Sequence, residues 1–456
     1  MTHSTIPPDS AEGFATRQIH AGFTSGVSQN TLTVPIYQSV AYEFPDFAAA
    51  RDTFALTKPG NIYSRNGNPT NAVLERRVSD LEGGAGAVAV GSGQAAVAIA
   101  LLTLVAAAGQ GPHHIVASNK LYGGTSDLLA DTFADLGIEV TFLDPLDSHA
   151  WSAALRDTTR AVFLEAIGNP VLTVPDISAI AEAAHAAGVP VVVDSTMATP
   201  VLLRPIEHGA DIVVHSATKY LGGHGATVAG VIVDGGTFDF TARPERWRRL
   251  TQPFHRFGGL VFTDEFDGSD GRTPFLVLAR AKGVHDFGPT LSPSSASQIL
   301  LGIETLDLRV RRQTASALEL ARFLSAQPQV ARVHHPGLTD HPEHELATRL
   351  SPEGLGSVFS FDLAARPDEV GPFIDSLELF TLAANIGDVR SLVVHPATMT
   401  HSRLDDAGRA DAGISSLTVR LSIGLEEPAD LRDDLARALS TVTVLDAPRA
   451  AEDRFR

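Results

Sequence analysis

The chain has 456 residues, 44% of them hydrophobic and 19% charged, with a net charge of −18 and no cysteine. That length exceeds one ordinary core and suits two domains, while the acidic balance opposes binding to nucleic acid or to an anionic membrane, since both want basic surfaces. Disulfides, thiolate metal sites and cysteine nucleophiles are excluded.

The N-terminus, MTHSTIPPDSAEG, lacks the basic region and apolar core of a signal peptide, so residues 1–13 read as a disordered leader and the expected location is the cytoplasm. From Thr16 to about Thr70 the prolines Pro35, Pro45, Pro59 and Pro69 punctuate an irregular stretch, which reads as an arm lying on something else, such as another subunit. Within it, Tyr63 and Arg65 of IYSRNGNPT fall on one side of an extended segment. A phenol and a guanidinium so placed can clamp an anion, although an ordinary surface arginine would look the same. Asn71–Leu81 reads as a helix ended by Gly83 and Gly84, and Ala87–Val90 as a short strand. The turn Gly91–Gln94 then opens an apolar run, Ala95–Ala108, that is too short to span a bilayer and reads as a buried helix. A glycine turn between strand and helix leaves free N–H groups that suit an anion. Many such turns bind nothing, and this one lacks the full dinucleotide fingerprint.

Further strands are expected at Ile115–Ala117, Glu139–Leu143, Ala161–Glu165, Val191–Asp194, Ile212–Val214 and Val231–Val233, with helices at Ser126–Leu136 and Ile177–Ala187. This alternation predicts an α/β fold, a mostly parallel sheet with helices on both faces. Ser92, Tyr122, Asn169, Asp194 and Lys219 then lie at the C-terminal strand ends, where open α/β sheets bind ligands. The stretch VVHSATKYLGGHG, Val213–Gly225, combines Lys219 with the hydroxyls of Ser216 and Thr218, and VPVVVDST upstream ends a second apolar run in Asp194. A lysine for a Schiff base, a carboxylate for a pyridinium nitrogen and donors for a phosphate are what pyridoxal phosphate (PLP) requires. A lysine after a strand is also commonly a solvated surface residue, and an aspartate there is often a helix cap. Thr237–Arg272, rich in aromatics, arginine and glycine, reads as an inserted loop, and Gln298–Ser325 as one amphipathic helix leading to a second domain with strands near Ser357–Phe361 and Thr418–Ser422. Proline and glycine break the spacing of the histidine-rich HHPGLTDHPEHE, His334–Glu345, so no metal site is expected and the histidines read as solvated. The expected division is an arm over residues 1–70, a cofactor-binding large domain over 71–290 and a smaller C-terminal α/β domain over 291–456.

The runs PIYQSVAYEF, IYSRNGNPT, GSGQAA, LYGGTS, EAIGNP, VVVDSTMATP, SATKYLGGHG, NIGD, HPATMTHS and VRLSIGLE occur in one order from about Thr16 to Leu439. Together they resemble the Cys/Met-metabolism family of fold-type I PLP enzymes. Within that family the run RPIEHGADIVVHSATKYLGGHG, the insertion Thr237–Arg272, and Asn385 where the γ-lyases usually carry serine, look most like the O-acetylhomoserine sulfhydrylase branch. The insertion departs from the branch at TQPFHRFGG, and Ser195 and Met197 stand where asparagine and phenylalanine are common.

The resemblance implies roles. Lys219 would hold PLP covalently and move protons, Asp194 would face the ring nitrogen, and Tyr122 would stack on the ring and take part in proton transfer. Gly93, Gln94, Ser216 and Thr218 would hold the phosphate, joined by Tyr63 and Arg65 from a neighbouring subunit. Asn169 would sit near the cofactor's 3-oxygen and the substrate, and Arg420, with Asn385 nearby, would clamp the substrate carboxylate. The implied reaction converts O-acetyl-L-homoserine and sulfide to L-homocysteine and acetate in methionine biosynthesis, in a homotetramer built as a dimer of dimers with shared sites. Elimination by a methionine or cystathionine γ-lyase, and sulfhydrylation of the succinyl ester, are the alternatives within the family. A non-catalytic α/β nucleotide-binding or scaffold protein is the alternative outside it.

Overall fold

Runs such as VVVD and IVVH are β-branched and short, and they fold as strands buried on both faces. A computed structural model describes residues 12–27 and 29–444, so the leader expected over 1–13 lies, apart from its last two residues, outside the described residues. Seven strands form the first sheet: β1 (Gly86–Val90), β2 (His113–Ser118), β3 (Ile138–Leu143), β4 (Thr159–Glu165), β5 (Val191–Asp194), β6 (Ile212–His215) and β7 (Gly230–Asp234). Their order is β1-β7-β6-β5-β4-β2-β3. The pairs from β6 through β5, β4 and β2 to β3 are parallel, whereas β7 runs antiparallel to both β6 and β1. The register sets Glu165 beside Asp194, and Asp194 beside Val214, which brings the polar ends of β4, β5 and β6 together at one edge.

Among the helices, α1 (Phe14–His20) packs on α3 (Pro69–Glu82), with Arg17 bonded to Asp80, while α2 (Phe47–Phe54) lies between them in the chain. The helix α4 (Gly93–Ala108) is apolar all round and lies against β4 through β7. Its Leu101 and Leu104 are fully buried, each contributing about 1.5–3 kcal/mol relative to exposure. The span expected as one helix over Ser126–Leu136 is two short α-helical pieces around a π-helical turn, Leu128–Thr132. The insertion holds an aromatic cluster in which Phe238, Phe240 and Trp247 meet edge to face at 4.9–5.8 Å.

The described residues divide into two units, one made of those up to 168 together with 174–308, the other of 169–173 together with those from 309 onward. The expected helix Gln298–Ser325 is two helices, Pro293–Ile303 and Leu306–Ser325. The first packs so tightly on the segment after Lys219 that a side chain at Gly302 would come within 2.3 Å of the Gly222 carbonyl oxygen. In the second unit, β8 (Val330–His334), β9 (Val358–Leu363), β10 (Thr381–Leu382), β11 (Leu392–Val394) and β12 (Thr418–Ser422) form a sheet in the order β10-β11-β12-β9-β8. The histidines expected to be solvated are partly internal: His334 is buried on Asp362 at 2.8 Å, and His335, also buried, accepts from the Gly337 N–H. Burial pushes the His335 pKa down to about 4, so it is neutral near pH 7. Among the described residues no helix is long and apolar enough to cross a membrane.

Candidate active site

In the first unit the ends of β5 and β6 launch two short turns side by side. The Asp194 carboxylate accepts the Thr196 N–H at 2.9 Å, and the Thr196 hydroxyl accepts the Ser216 N–H at 2.8 Å. Asp194 keeps part of its surface open but is otherwise enclosed by protein. Burial raises its pKa, against the hydrogen bonds of Thr196 and the field of His215, which lower it.

From Ser216 the backbone coils through Lys219, with the Lys219 N–H on the Ser216 carbonyl at 3.1 Å and the Gly223 N–H on the Lys219 carbonyl at 2.7 Å. Gly223 and Gly225 then take left-handed φ of 73° and 61°, which the glycine-rich exit makes accessible. The Thr218 hydroxyl is engaged with Ala229 in both directions, donating to its carbonyl at 3.2 Å and accepting its N–H at 3.0 Å. Thr218 therefore pins the loop to the start of β7. Ser216 lies over the first turn of α4, where a side chain at Gly93 would fall 2.4 Å from the Ser216 Cβ.

Ser92 caps α4 by accepting the Ala95 N–H at 3.0 Å. The N–H groups of Gly93 and Gln94 have no hydrogen-bond partner among the described residues. Two unfilled donors at a helix start, beside the Ser216 hydroxyl, suit a phosphate. Tyr122 stands at the C-terminal side of β2, its ring half exposed and its N–H on the Glu165 carboxylate at 2.5 Å. A side chain at Gly124 would meet the Tyr122 ring at 2.6 Å, and the Gln94 amide donates to the Gly124 carbonyl at 2.9 Å. The donor set therefore fits PLP: amide and hydroxyl donors for the phosphate, a carboxylate at the end of β5 for the ring nitrogen, and a lysine on the adjoining loop.

Among the described residues no hydrogen bond joins Tyr63 or Arg65 to this loop. Arg65 donates to the His285 carbonyl at 2.5 Å and stacks 5.5 Å from the Tyr63 ring, which is 42% exposed. The second unit gathers the remaining residues. Arg420 on β12 is buried, with one nitrogen on the Asn169 side-chain oxygen at 3.2 Å and another on the Asn385 carbonyl at 3.3 Å. Asn385 thus meets Arg420 through its backbone.

Three participants escaped the reading of the sequence. Thr196 sits two residues past Asp194, the spacing of a turn closed by an aspartate side chain, and that spacing could have found it. Glu165 ends β4 as Asp194 ends β5. Glu82 pairs with His215 at 2.6 Å, both fully buried, and only the fold brings α3 to β6.

The fold and this cradle define an α/β enzyme of the PLP class. The family model described as Cys/Met metabolism PLP-dependent enzyme matches residues 15–440. An O-acetyl-L-homoserine sulfhydrylase of Leptospira meyeri is 43% identical, covering 93% of this chain and 96% of its own. O-acetyl-L-homoserine sulfhydrylase 1 of Thermus thermophilus is 44% identical, over 94% of this chain and 100% of its own, and the homocysteine synthase of Schizosaccharomyces pombe 41%, over 95% and 99%. A crystal structure from Campylobacter jejuni, described as an O-acetylhomoserine (thiol)-lyase carrying a pyridoxyl-lysine phosphate residue, superposes with a TM-score of 0.88 at 33% identity, over 94% of this chain and 100% of its own. The chain belongs to the Cys/Met metabolism PLP-dependent enzyme family, and PLP is its cofactor.

Proposed function

We propose that the enzyme replaces the acetate of O-acetyl-L-homoserine with sulfide, giving L-homocysteine and acetate. The observation that carries this reading is the full-length similarity to O-acetyl-L-homoserine sulfhydrylases, with Asp194, Lys219 and the open Gly93 and Gln94 donors held in one cradle. Bound PLP supplies an electron sink for charge developing at the substrate's Cα. Lys219 holds the cofactor and, when the substrate amine displaces it, moves protons at Cα and Cβ. Asp194 stabilises a proton at the ring nitrogen. Gly93, Gln94 and Ser216 orient the phosphate, with Thr218 holding the loop. Tyr122 covers the ring and assists proton transfer. Arg420 orients the substrate carboxylate, with Asn169 and Asn385 fixing the guanidinium. Acetate leaves from Cγ, hydrosulfide bonds to the same carbon, and the protons return to Cβ and Cα.

The acetyl ester is favoured over the succinyl ester by the state of the insertion's arginines. Arg256 is paired through two nitrogens with Asp286 at 2.7 and 2.8 Å, Arg249 stacks on Phe254, and Arg248 donates to the Glu245 carbonyl. Arg256 is thus already matched to a carboxylate, and a second substrate carboxylate left unpaired in a closed site is costly. With sulfide in excess, kcat/KM for O-acetylhomoserine should exceed that for O-succinylhomoserine by at least about tenfold. A higher value for the succinyl ester would reverse the assignment.

The enzyme works in this reading as a cytoplasmic homotetramer, a dimer of dimers in which Tyr63 and Arg65 complete the phosphate site of a neighbour. Exposed apolar side chains crowd the arm, with Leu32 at 94%, Phe47 at 84% and Val40 at 61% exposure, as a covered surface would require. Mixing inactive Lys219→Ala with inactive Arg65→Ala subunits should therefore restore activity. Random exchange leaves one intact site in half of the dimers, so recovery should approach about a quarter of the wild-type value. No recovery after proven exchange would exclude the shared site.

A further inference from the structure

We propose that Thr196 is a positioning residue for the reaction, its backbone N–H holding the carboxylate at the end of β5 and its hydroxyl holding the loop that carries Lys219. The inference rests on the reading in which Asp194 faces the ring nitrogen of PLP. Two hydrogen bonds meet at this residue. Its N–H donates to Asp194 at 2.9 Å, and its hydroxyl oxygen accepts the Ser216 N–H at 2.8 Å. The side chain and the backbone of Thr196 both favour the ionised form of Asp194. Ser216 is held from the other side by the first turn of α4, since a side chain at Gly93 would lie 2.4 Å from its Cβ. Thr196 therefore sets the spacing between Asp194 and the backbone that leads to Lys219, three residues beyond Ser216, through its N–H on one side and its hydroxyl on the other.

The chemical consequence concerns where a proton rests. A carboxylate and a pyridine nitrogen that share one proton divide it according to their basicities. Each hydrogen bond donated to the carboxylate makes it less basic and leaves the proton on the ring. Burial works in the opposite sense at Asp194. Thr196 offsets burial where the ring must remain protonated to draw electrons from Cα. Serine can replace it in this respect, whereas valine, of the same shape, cannot.

The test loads wild type, Thr196→Val, Thr196→Ser and Asp194→Asn with PLP labelled with 15N at the ring nitrogen. It reads PLP affinity, the ring 15N resonance and the unfolding temperature of the apoprotein. Thr196→Val should weaken PLP binding on the order of tenfold and move the resonance toward that of neutral pyridine. Thr196→Ser should stay within about twofold of wild type, with an unmoved resonance. If Thr196→Val does not fold, Thr196→Ala removes the same hydroxyl and is held to the same expectation. A hydroxyl-free variant that melts earlier but keeps the wild-type resonance and affinity, while Asp194→Asn shifts both, would overturn the proposal and leave the reading of Asp194 intact. If Asp194→Asn also leaves both unchanged, the reading of Asp194 fails, and the proposal fails with it.

Discussion

Lys219→Ala is expected to abolish covalent PLP attachment and to lower turnover by about four orders of magnitude or more, because the residue both holds the cofactor and returns the protons. The chain contains four lysines, Lys58, Lys120, Lys219 and Lys282, so substitution by a neighbour is testable directly. Lys58 is paired with Asp52 at 3.2 Å and Lys282 with Asp286 at 3.2 Å, whereas Lys120 stands in the turn after β2. Lys219 alone follows β6, on the loop bonded through Thr196 to Asp194. Borohydride reduction of the wild-type holoenzyme followed by peptide mapping should place the pyridoxyl group on Lys219. A label on any of the other three lysines would refute the assignment.

Asp194→Ala is expected to cut kcat by about two to three orders of magnitude while leaving the apoprotein at least as stable as wild type. The two effects separate because the carboxylate's work is electronic. Burial raises its folded pKa above the ordinary aspartate value of 3.8, so the folded apoprotein takes up this proton more readily than the unfolded chain. The stability Asp194 contributes is then present in its protonated form below pH 3.8 and is lost as the pH rises toward the folded pKa. Burial penalises the charged form of Asp194 in the apoprotein, a penalty that alanine removes. Comparing kcat of the holoenzyme with thermal unfolding of the apoprotein checks both halves. Near-normal turnover would count against the mechanism, and a large loss of apoprotein stability would show that the carboxylate serves the fold.

The first sheet was legible because its strands are buried on both faces and so read as continuous β-branched runs. The antiparallel placement of β7 was not, since a run such as GVIVD carries no sign of direction. The break at Glu304 and Thr305 escaped because the apolar pattern continues across it through Ile303, Leu306 and Val310, all buried. A serine-proline pair, Ser292 and Pro293, did mark the true helix start, with Ser292 capping the Ser295 N–H at 3.0 Å. In the second sheet β8, β10 and β11 were missed: β8 is irregular in register and partly exposed, β10 is two exposed residues, and β11 is a buried run of only three. Of the site, the strand-end positions of Asp194 and Lys219 followed from local pattern. The meeting of Arg420 with Asn169, 251 residues apart, could not, and the two residues entered singly, through the resemblance. The burial of His334 and His335 had no local sign either, because loop composition alone does not say which face of a loop is covered.

The central claim is γ-replacement at a PLP site, and the most direct measurement is a product assay of the holoenzyme with O-acetylhomoserine, with and without sulfide. The account predicts homocysteine and acetate in equal amounts when sulfide is present, and little release of 2-oxo acid or ammonia when it is absent. Release of 2-oxo acid and ammonia without sulfide, at a rate matching or exceeding homocysteine formation, would contradict it and make the enzyme a lyase.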